Sequence, residues 1–224
     1  MTADRPNRLA VFDCDGTLVD SQAAICAAMA DCFVAAGLPD PGAAATRRVV
    51  GLSLVEAVAM LHPAGTADLH AAMAGDYKRA FQRRRGAGLV AEPLFAGVAR
   101  ALADLCAAGW LLGVATGKSD RGLGLCLAHH GLADRFVTLQ TADRHPSKPH
   151  PAMLFQAMAE AGAAPETTVM IGDTSYDIAM AKAAGAVAVG VAWGYHAPAE
   201  LFAEGADHVV DHAADLPALL ERLP

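Results

Sequence analysis

The 224-residue sequence has few cysteines, no long apolar run and no excess of basic charge. Its five cysteines, at 14, 26, 32, 106 and 126, form no CxxC pair and are odd in number, which argues against a disulfide framework or a zinc site. A reducing cytoplasm is the expected setting. The longest apolar stretch, Ala183 to Trp193, is broken by glycines and too short to span a bilayer. No secretory signal is expected, because the N-terminus is polar through Arg8 and the apolar run that follows stops at Asp13. Acidic residues outnumber basic ones 24 to 17, and a net charge of −7 disfavours a general nucleic-acid surface. What remains, 54% hydrophobic and 18% charged, is a globular composition. The length suits one large domain or a core domain with a smaller companion.

The chain is organised around residues 8 to 21, RLAVFDCDGTLVDS. Leu9 to Phe12 reads as a buried strand that runs straight into two acids placed one residue apart, followed by Gly16 and Thr17. Alternate side chains of an extended chain share a face, so Asp13 and Asp15 can address one small volume while Cys14 points away. Converging carboxylates repel, and a divalent cation or a shared proton would offset that.

Ser21 stands where a helix N-cap is expected, and Ile25, Cys26, Met29, Phe33 and Val34 follow at helical spacing until Gly37 and Pro39. Further helices are expected at about 43–50, 53–62 and 66–85, with no strand before Trp110. Residues 19–90 therefore read as an all-helical insert, and 1–18 with 91–224 as the core. Beyond the breakers at 86–93, helix and strand alternate. Strands are expected at 110–115, 136–139, 168–171, 187–191 and 208–210, and helices near 97–108, 119–130, 151–161, 175–184 and 198–204. Repeated βα units imply an α/β fold, a parallel sheet with helices on both faces, whose ligands sit beyond the carboxyl ends of the strands.

Three more strand ends carry polar residues. ATGKS at 115–119 is not a nucleotide-binding loop, since GVATG has three residues between its glycines where that motif needs four; Ser119 reads as a helix cap. PSKPHP at 146–151 stiffens the chain around Lys148, and a rigid lysine near the acids would lower the repulsion among them. In VMIGDTSYD at 169–177 a strand runs into Asp173, while Asp177 falls in the first turn of a helix, where the dipole favours negative charge.

DxDGTLVDS, the Thr116 strand end, KPHP and GDxxxD, in that order, resemble the four motifs of the haloacid dehalogenase (HAD) superfamily. The chain resembles its phosphoglycolate phosphatase-like members, which implies a Rossmann-like core and a helical, C1-type cap inserted after the first strand. The resemblance implies that Asp13 is a nucleophile on phosphorus and Asp15 a general acid and base. It also implies that Thr116 and Lys148 hold the phosphoryl group with backbone N–H groups at Gly16 and Gly117. Magnesium is the implied cofactor, bound by Asp13, Asp173 and the backbone carbonyl of Asp15, with Asp177 orienting that shell or Lys148. The implied reaction is hydrolysis of a small phosphate monoester, phosphoglycolate-like, through an aspartyl-phosphate. A β-phosphoglucomutase type of transfer or a non-catalytic binding role are the alternatives. Dehalogenases and phosphonate-cleaving members lack an acid at the position of Asp15. Arg47 and Arg48 in the insert are candidates for a substrate carboxylate or second phosphate, a solvated arginine pair being the alternative. The expected partner is a small phosphorylated metabolite, with neither nucleic acid nor membrane, and the expected state a monomer or homodimer.

Overall fold

The computed structural model describes residues 6–223. Strand β1 (Asn7–Phe12) leads into α1 (Gln22–Ala35), α2 (Gly42–Arg48), α3 (Leu54–Leu61) and α4 (Ala67–Gly86), then α5 (Val98–Ala107). Strands and helices alternate from there: β2 (Leu111–Thr116), α6 (Asp120–His129), β3 (Thr138–Thr141), α7 (Ala152–Ala161), β4 (Ala163–Gly172) and α8 (Ser175–Ala184). The described chain closes with β5 (Val187–Val191), α9 (Pro198–Ala203), β6 (His208–Val210) and α10 (Leu216–Leu220).

All six strands pair in parallel, in the order β3-β2-β1-β4-β5-β6. The order reverses between β1 and β4, and a crevice opens beyond the strand ends at such a switch point. Residues Leu9 to Phe12 are almost wholly buried because both faces of the sheet are covered. Ala10 and Phe12 join a cluster with Val98, Leu102 and Leu216 on one face, whereas Leu9 and Val11 join Met153, Leu154 and Ile178 on the other. Period-two alternation thus puts Asp13 at the end of a strand fixed from both sides.

Helices α1 to α4 pack around their own core of Met29, Phe33, Val58, Met73 and Tyr77. The chain leaves the sheet and returns to it side by side: Val19 bridges Leu94, Asp20 N–H donates to the Pro93 carbonyl at 2.8 Å, and Phe95 N–H to that of Leu18 at 3.0 Å.

Three local expectations change. The Ser21 side chain makes no capping bond to α1. β3 starts at Thr138 rather than Phe136, because its buried Thr138 and Gln140 both donate to Glu160 of α7, at 2.6 and 2.8 Å, so the strand does not need apolar residues. β4 starts at Ala163, where Asn7 extends the pairing with β1 across a register shift. Among the described residues no helix is long and apolar enough to cross a membrane.

Candidate active site

Two strand ends flank the switch point, and each delivers a buried carboxylate. Asp13 follows β1, its N–H still donating to the Ile171 carbonyl of β4 at 2.9 Å. Asp173 follows β4 and sits between two glycines. A Cβ at Gly16, whose φ is +95°, would lie 2.2 Å from Asp173 Oδ2, and one at Gly194 would lie 2.1 Å from its Cβ. No larger residue fits at either place. Thr17 Oγ1 donates to Asp173 Oδ1 and Tyr195 N–H to Oδ2, both at 2.9 Å. Asp177 opens α8 in a capping box, its Oδ2 accepting from Thr174 N–H and Oγ1 at 3.1 and 2.7 Å.

Asp13, Asp173 and Asp177 each offer an oxygen within 4.8 Å of the others. Among the described residues, one ammonium pairs with two of them. Lys148, fully buried, places Nζ 2.6 Å from Asp177 Oδ1 and 2.8 Å from Asp13 Oδ1, the latter as an ion pair without hydrogen-bond alignment. Asp13 Oδ2 is buried with no donor among the described residues. Burial pushes the Asp13 carboxyl up to about 7 against the pull of Lys148. Asp173 is also pushed well above the usual carboxylate range, by burial and then by repulsion from Asp13 and Asp177. Asp13 and Asp177 outweigh burial at Lys148 and hold its ammonium above the ordinary value. Three carboxylates against one ammonium leave negative charge uncompensated, and an all-oxygen donor set with one orphaned oxygen fits a hard divalent cation.

Asp15 is set apart from this cluster. Its Oδ1 accepts from Ser21 Oγ at 2.5 Å and from Lys118 Nζ at 2.7 Å. The hydroxyl expected to cap α1 therefore orients Asp15 instead. Lys118 also pairs with Glu92 Oε1 at 2.9 Å, and Glu92 Oε2 pairs with Arg85 Nη2 of α4 at 2.5 Å. Burial alone would lower the Lys118 value, but Asp15 and Glu92 hold it well above the ordinary range. Sequence reasoning missed Lys118, Glu92 and this role of Ser21. The GKS string was visible, but nothing local says that the returning chain brings Glu92 beside it. We expect Lys118→Met to destabilise the protein by about 3 kcal/mol, since it leaves two nearly buried carboxylates short of a partner. It should also lower kcat more than it changes KM; thermal melts and steady-state kinetics check both.

Thr116, buried at the end of β2, accepts from Lys118 N–H at 3.2 Å through Oγ1. A Cβ at Gly117 would lie 2.4 Å from the Leu52 carbonyl oxygen, so the loop between α2 and α3 closes directly onto this turn. Ser119 caps α6 by accepting from Gly122 N–H, as its position suggested. A cavity of about 470 Å³ lies between the sheet ends and α1 to α4, with Asp13, Asp15, Thr116, Gly117 and Lys118 in its floor. Arg47 and Arg48 do not line it. Arg48 instead pairs with Glu200 of α9 at 2.5 Å, and its carbonyl accepts from Tyr176 Oη at 3.0 Å. This corrects the candidate role of Arg48, because an exposed carboxylate across the interface holds its guanidinium outside.

Residues 10–191 match the family of haloacid dehalogenase-like hydrolases. IndB of Dickeya dadantii, named a probable phosphatase, is 36% identical over 209 residues, 91% of this chain and 89% of its own. A phosphoglycolate phosphatase of Pseudomonas putida is 32% identical over 95% of this chain and 78% of its own. PtkA of Mycobacterium tuberculosis, named a tyrosine-protein kinase, is 32% identical over 96% of this chain and 72% of its own. The solved structure of a predicted phosphoglycolate phosphatase from Haemophilus somnus superposes with a TM-score of 0.82 at 25% identity, covering 95% of this chain and 97% of that one. Strand-end carboxylates at the switch point, the order of the sheet and these likenesses agree: the chain belongs to the haloacid dehalogenase-like hydrolases and is a phosphatase of that family.

Proposed function

We propose that this phosphatase is magnesium-dependent and hydrolyses a small phosphate monoester through an aspartyl-phosphate on Asp13. The observation that carries the reading is the orphaned Asp13 Oδ2, buried in the floor of the cavity beside Asp173 and Lys148. The ion would be held by the carboxylates of Asp13 and Asp173 and the backbone carbonyl of Asp15, and there it supplies positive charge against the phosphoryl oxygens. Asp177 is not assigned as a direct ligand in this reading: its Oδ1 pairs with Lys148 Nζ, and its Oδ2 accepts from both the N–H and the hydroxyl of Thr174. It positions Lys148 instead.

Asp13 attacks phosphorus while the ester P–O bond breaks, and Asp15 gives its proton to the departing alcohol oxygen. Asp15 then takes a proton from water, whose oxygen attacks phosphorus, frees Asp13 and releases inorganic phosphate. Lys148 stays beside Asp13 Oδ1 throughout, Thr116 Oγ1 and the N–H groups of Gly16 and Gly117 hold phosphoryl oxygens, and Lys118 with Ser21 fixes the rotamer of Asp15. In this account α1 to α4 act as a cap that keeps bulk water from the intermediate. Phosphoglycolate, supplied by the names of two similar proteins, belongs in the first panel of esters. Five free cysteines support a reducing cytoplasm as the setting.

Removal of the metal tests this directly. Phosphate release should fall to background in EDTA and return on addition of magnesium; turnover that persists in EDTA after exhaustive dialysis contradicts the magnesium reading.

A further inference from the structure

Of the four cations among the described residues lining the cavity, three already have a carboxylate. Lys118 is shared by Asp15 and Glu92, and Arg85 is held by Glu92 at 2.5 Å. Lys78, half-exposed, reaches Asp143 at 3.1 Å. A ligand anion would have to break one of these charge-assisted pairs, leaving a carboxylate unpaired in partly desolvated surroundings. Asp15 and Asp143, both in the wall, add negative charge of their own. Arg121 is the one lining cation without a carboxylate partner among the described residues, and it is exposed, where its charge is screened.

The remaining wall is apolar, formed above all by Ile25, Met29, Val50, Leu54, Tyr77 and Phe81. Phe81 sits beside the proton donor. Its ring centroid is 5.8 Å from Lys118 Nζ, which is itself 2.7 Å from Asp15 Oδ1. Tyr77 stacks on Phe81, with centroids 5.9 Å apart and planes at 29°, and burial pushes its phenol up, so the hydroxyl stays neutral. Asp15 must meet the leaving oxygen, so the leaving group occupies the cavity that Tyr77 and Phe81 line together with Asp15. A cavity of about 470 Å³ is within the usual range for drug-sized ligands, and a two-carbon acid would leave most of its apolar wall uncovered.

We propose that the leaving alcohol is uncharged and carries an aromatic ring seated against Phe81 and Tyr77, rather than a carboxylate or a second phosphate. This rests on the phosphatase reading above and names its substrate class. A mutase that must hold a second phosphate is disfavoured by the same paired cations.

Benzyl phosphate and 2-phosphoglycolate both leave as primary alcohols, so their comparison reports the cavity and not leaving-group chemistry. With magnesium present, kcat/KM for benzyl phosphate should exceed that for phosphoglycolate by roughly tenfold or more. Phe81→Ala should lower this ratio at least about fivefold. Gln82→Arg, at an exposed position in the wall, should also lower the ratio by offering an unpaired guanidinium to the acid. A wild-type ratio at or below one overturns the inference, the more so if the preference for the acid disappears in Arg121→Ala, and leaves the phosphatase reading intact. Release of phosphate from neither ester, nor from any of a panel of sugar and nucleoside phosphates, overturns both.

Discussion

Asp13→Asn lowers kcat by at least about 10⁴-fold, while raising the melting temperature of the metal-free protein at neutral pH and above. On the proposed mechanism the activity loss follows from replacing the attacking oxygen by an uncharged amide that cannot form the acyl phosphate. The stability gain follows from electrostatics in the free protein. Asp13 is buried with Asp173 and Asp177, and Lys148 is the one ammonium beside them. Its folded value of about 7 lies above the ordinary 3.8, so ionised Asp13 costs the folded state stability. That cost is absent well below 3.8, grows as pH rises from there to about 7, and is constant above. Melts of the two proteins in EDTA should therefore diverge as pH rises from 3.8 to about 7, with the variant higher. If the proposed ion binds here, the order should reverse with magnesium, because the wild type would gain the binding free energy of an ion that the variant holds poorly. A variant that melts lower than the wild type in EDTA at pH 8 would contradict the reading of the cluster as short of positive charge.

Lys148→Met should have the opposite effect on stability and a similar direction in activity. The substitution keeps an unbranched apolar stem, one atom shorter, and removes the ammonium that pairs with two of the three buried carboxylates. Stranding buried charge costs about 3–5 kcal/mol, or roughly 6–20 °C in a protein of this size. Turnover should fall by about 10²- to 10³-fold, through the lost charge against the transferring group. Adding Asp177→Asn to Lys148→Met separates the two effects. It removes one stranded carboxylate and keeps an acceptor for the capping contacts of Thr174, so stability should recover in part while activity does not. If the double variant is no more stable than Lys148→Met alone, the ion pair between Lys148 and Asp177 is not what matters.

Much of this arrangement could be read in the sequence, for a local reason. An apolar run that ends in an acid, as Leu9 to Asp13 and Val169 to Asp173 do, conflicts with burial unless the acid has work to do, and a parallel sheet places such ends on one edge. Lys148 was legible through the prolines around it. The alternation of βα units after Gly109 and its absence before it gave the α/β sheet and the run of helices α1 to α4. What was not legible depends on residues that meet only after the chain returns. Ser21 looked like a helix cap because its neighbours in sequence are a helix, yet its hydroxyl goes to Asp15. Arg48 looked like a ligand for an anion, yet Glu200, 152 residues later, takes its guanidinium. Lys118 lies in the GKS string, whose glycine spacing fits no nucleotide-binding loop, and Glu92 lies among loop breakers where no periodicity marks a buried acid. β3 was misplaced because Thr138 and Gln140 are polar, and the partner that makes them tolerable in a core, Glu160, lies on α7.

The central claim is that Asp13 carries the phosphoryl group while Asp15 handles protons. On that claim Asp15→Asn should slow the second step more than the first, so incubation with magnesium and a hydrolysable ester, followed by acid quenching and peptide mass spectrometry, tests it most directly. The account predicts one phosphoryl group on the peptide containing Asp13 and none when Asp13→Asn is added. Phosphate found on a serine, histidine or cysteine instead, or full turnover with no labelled peptide in Asp15→Asn, would contradict it.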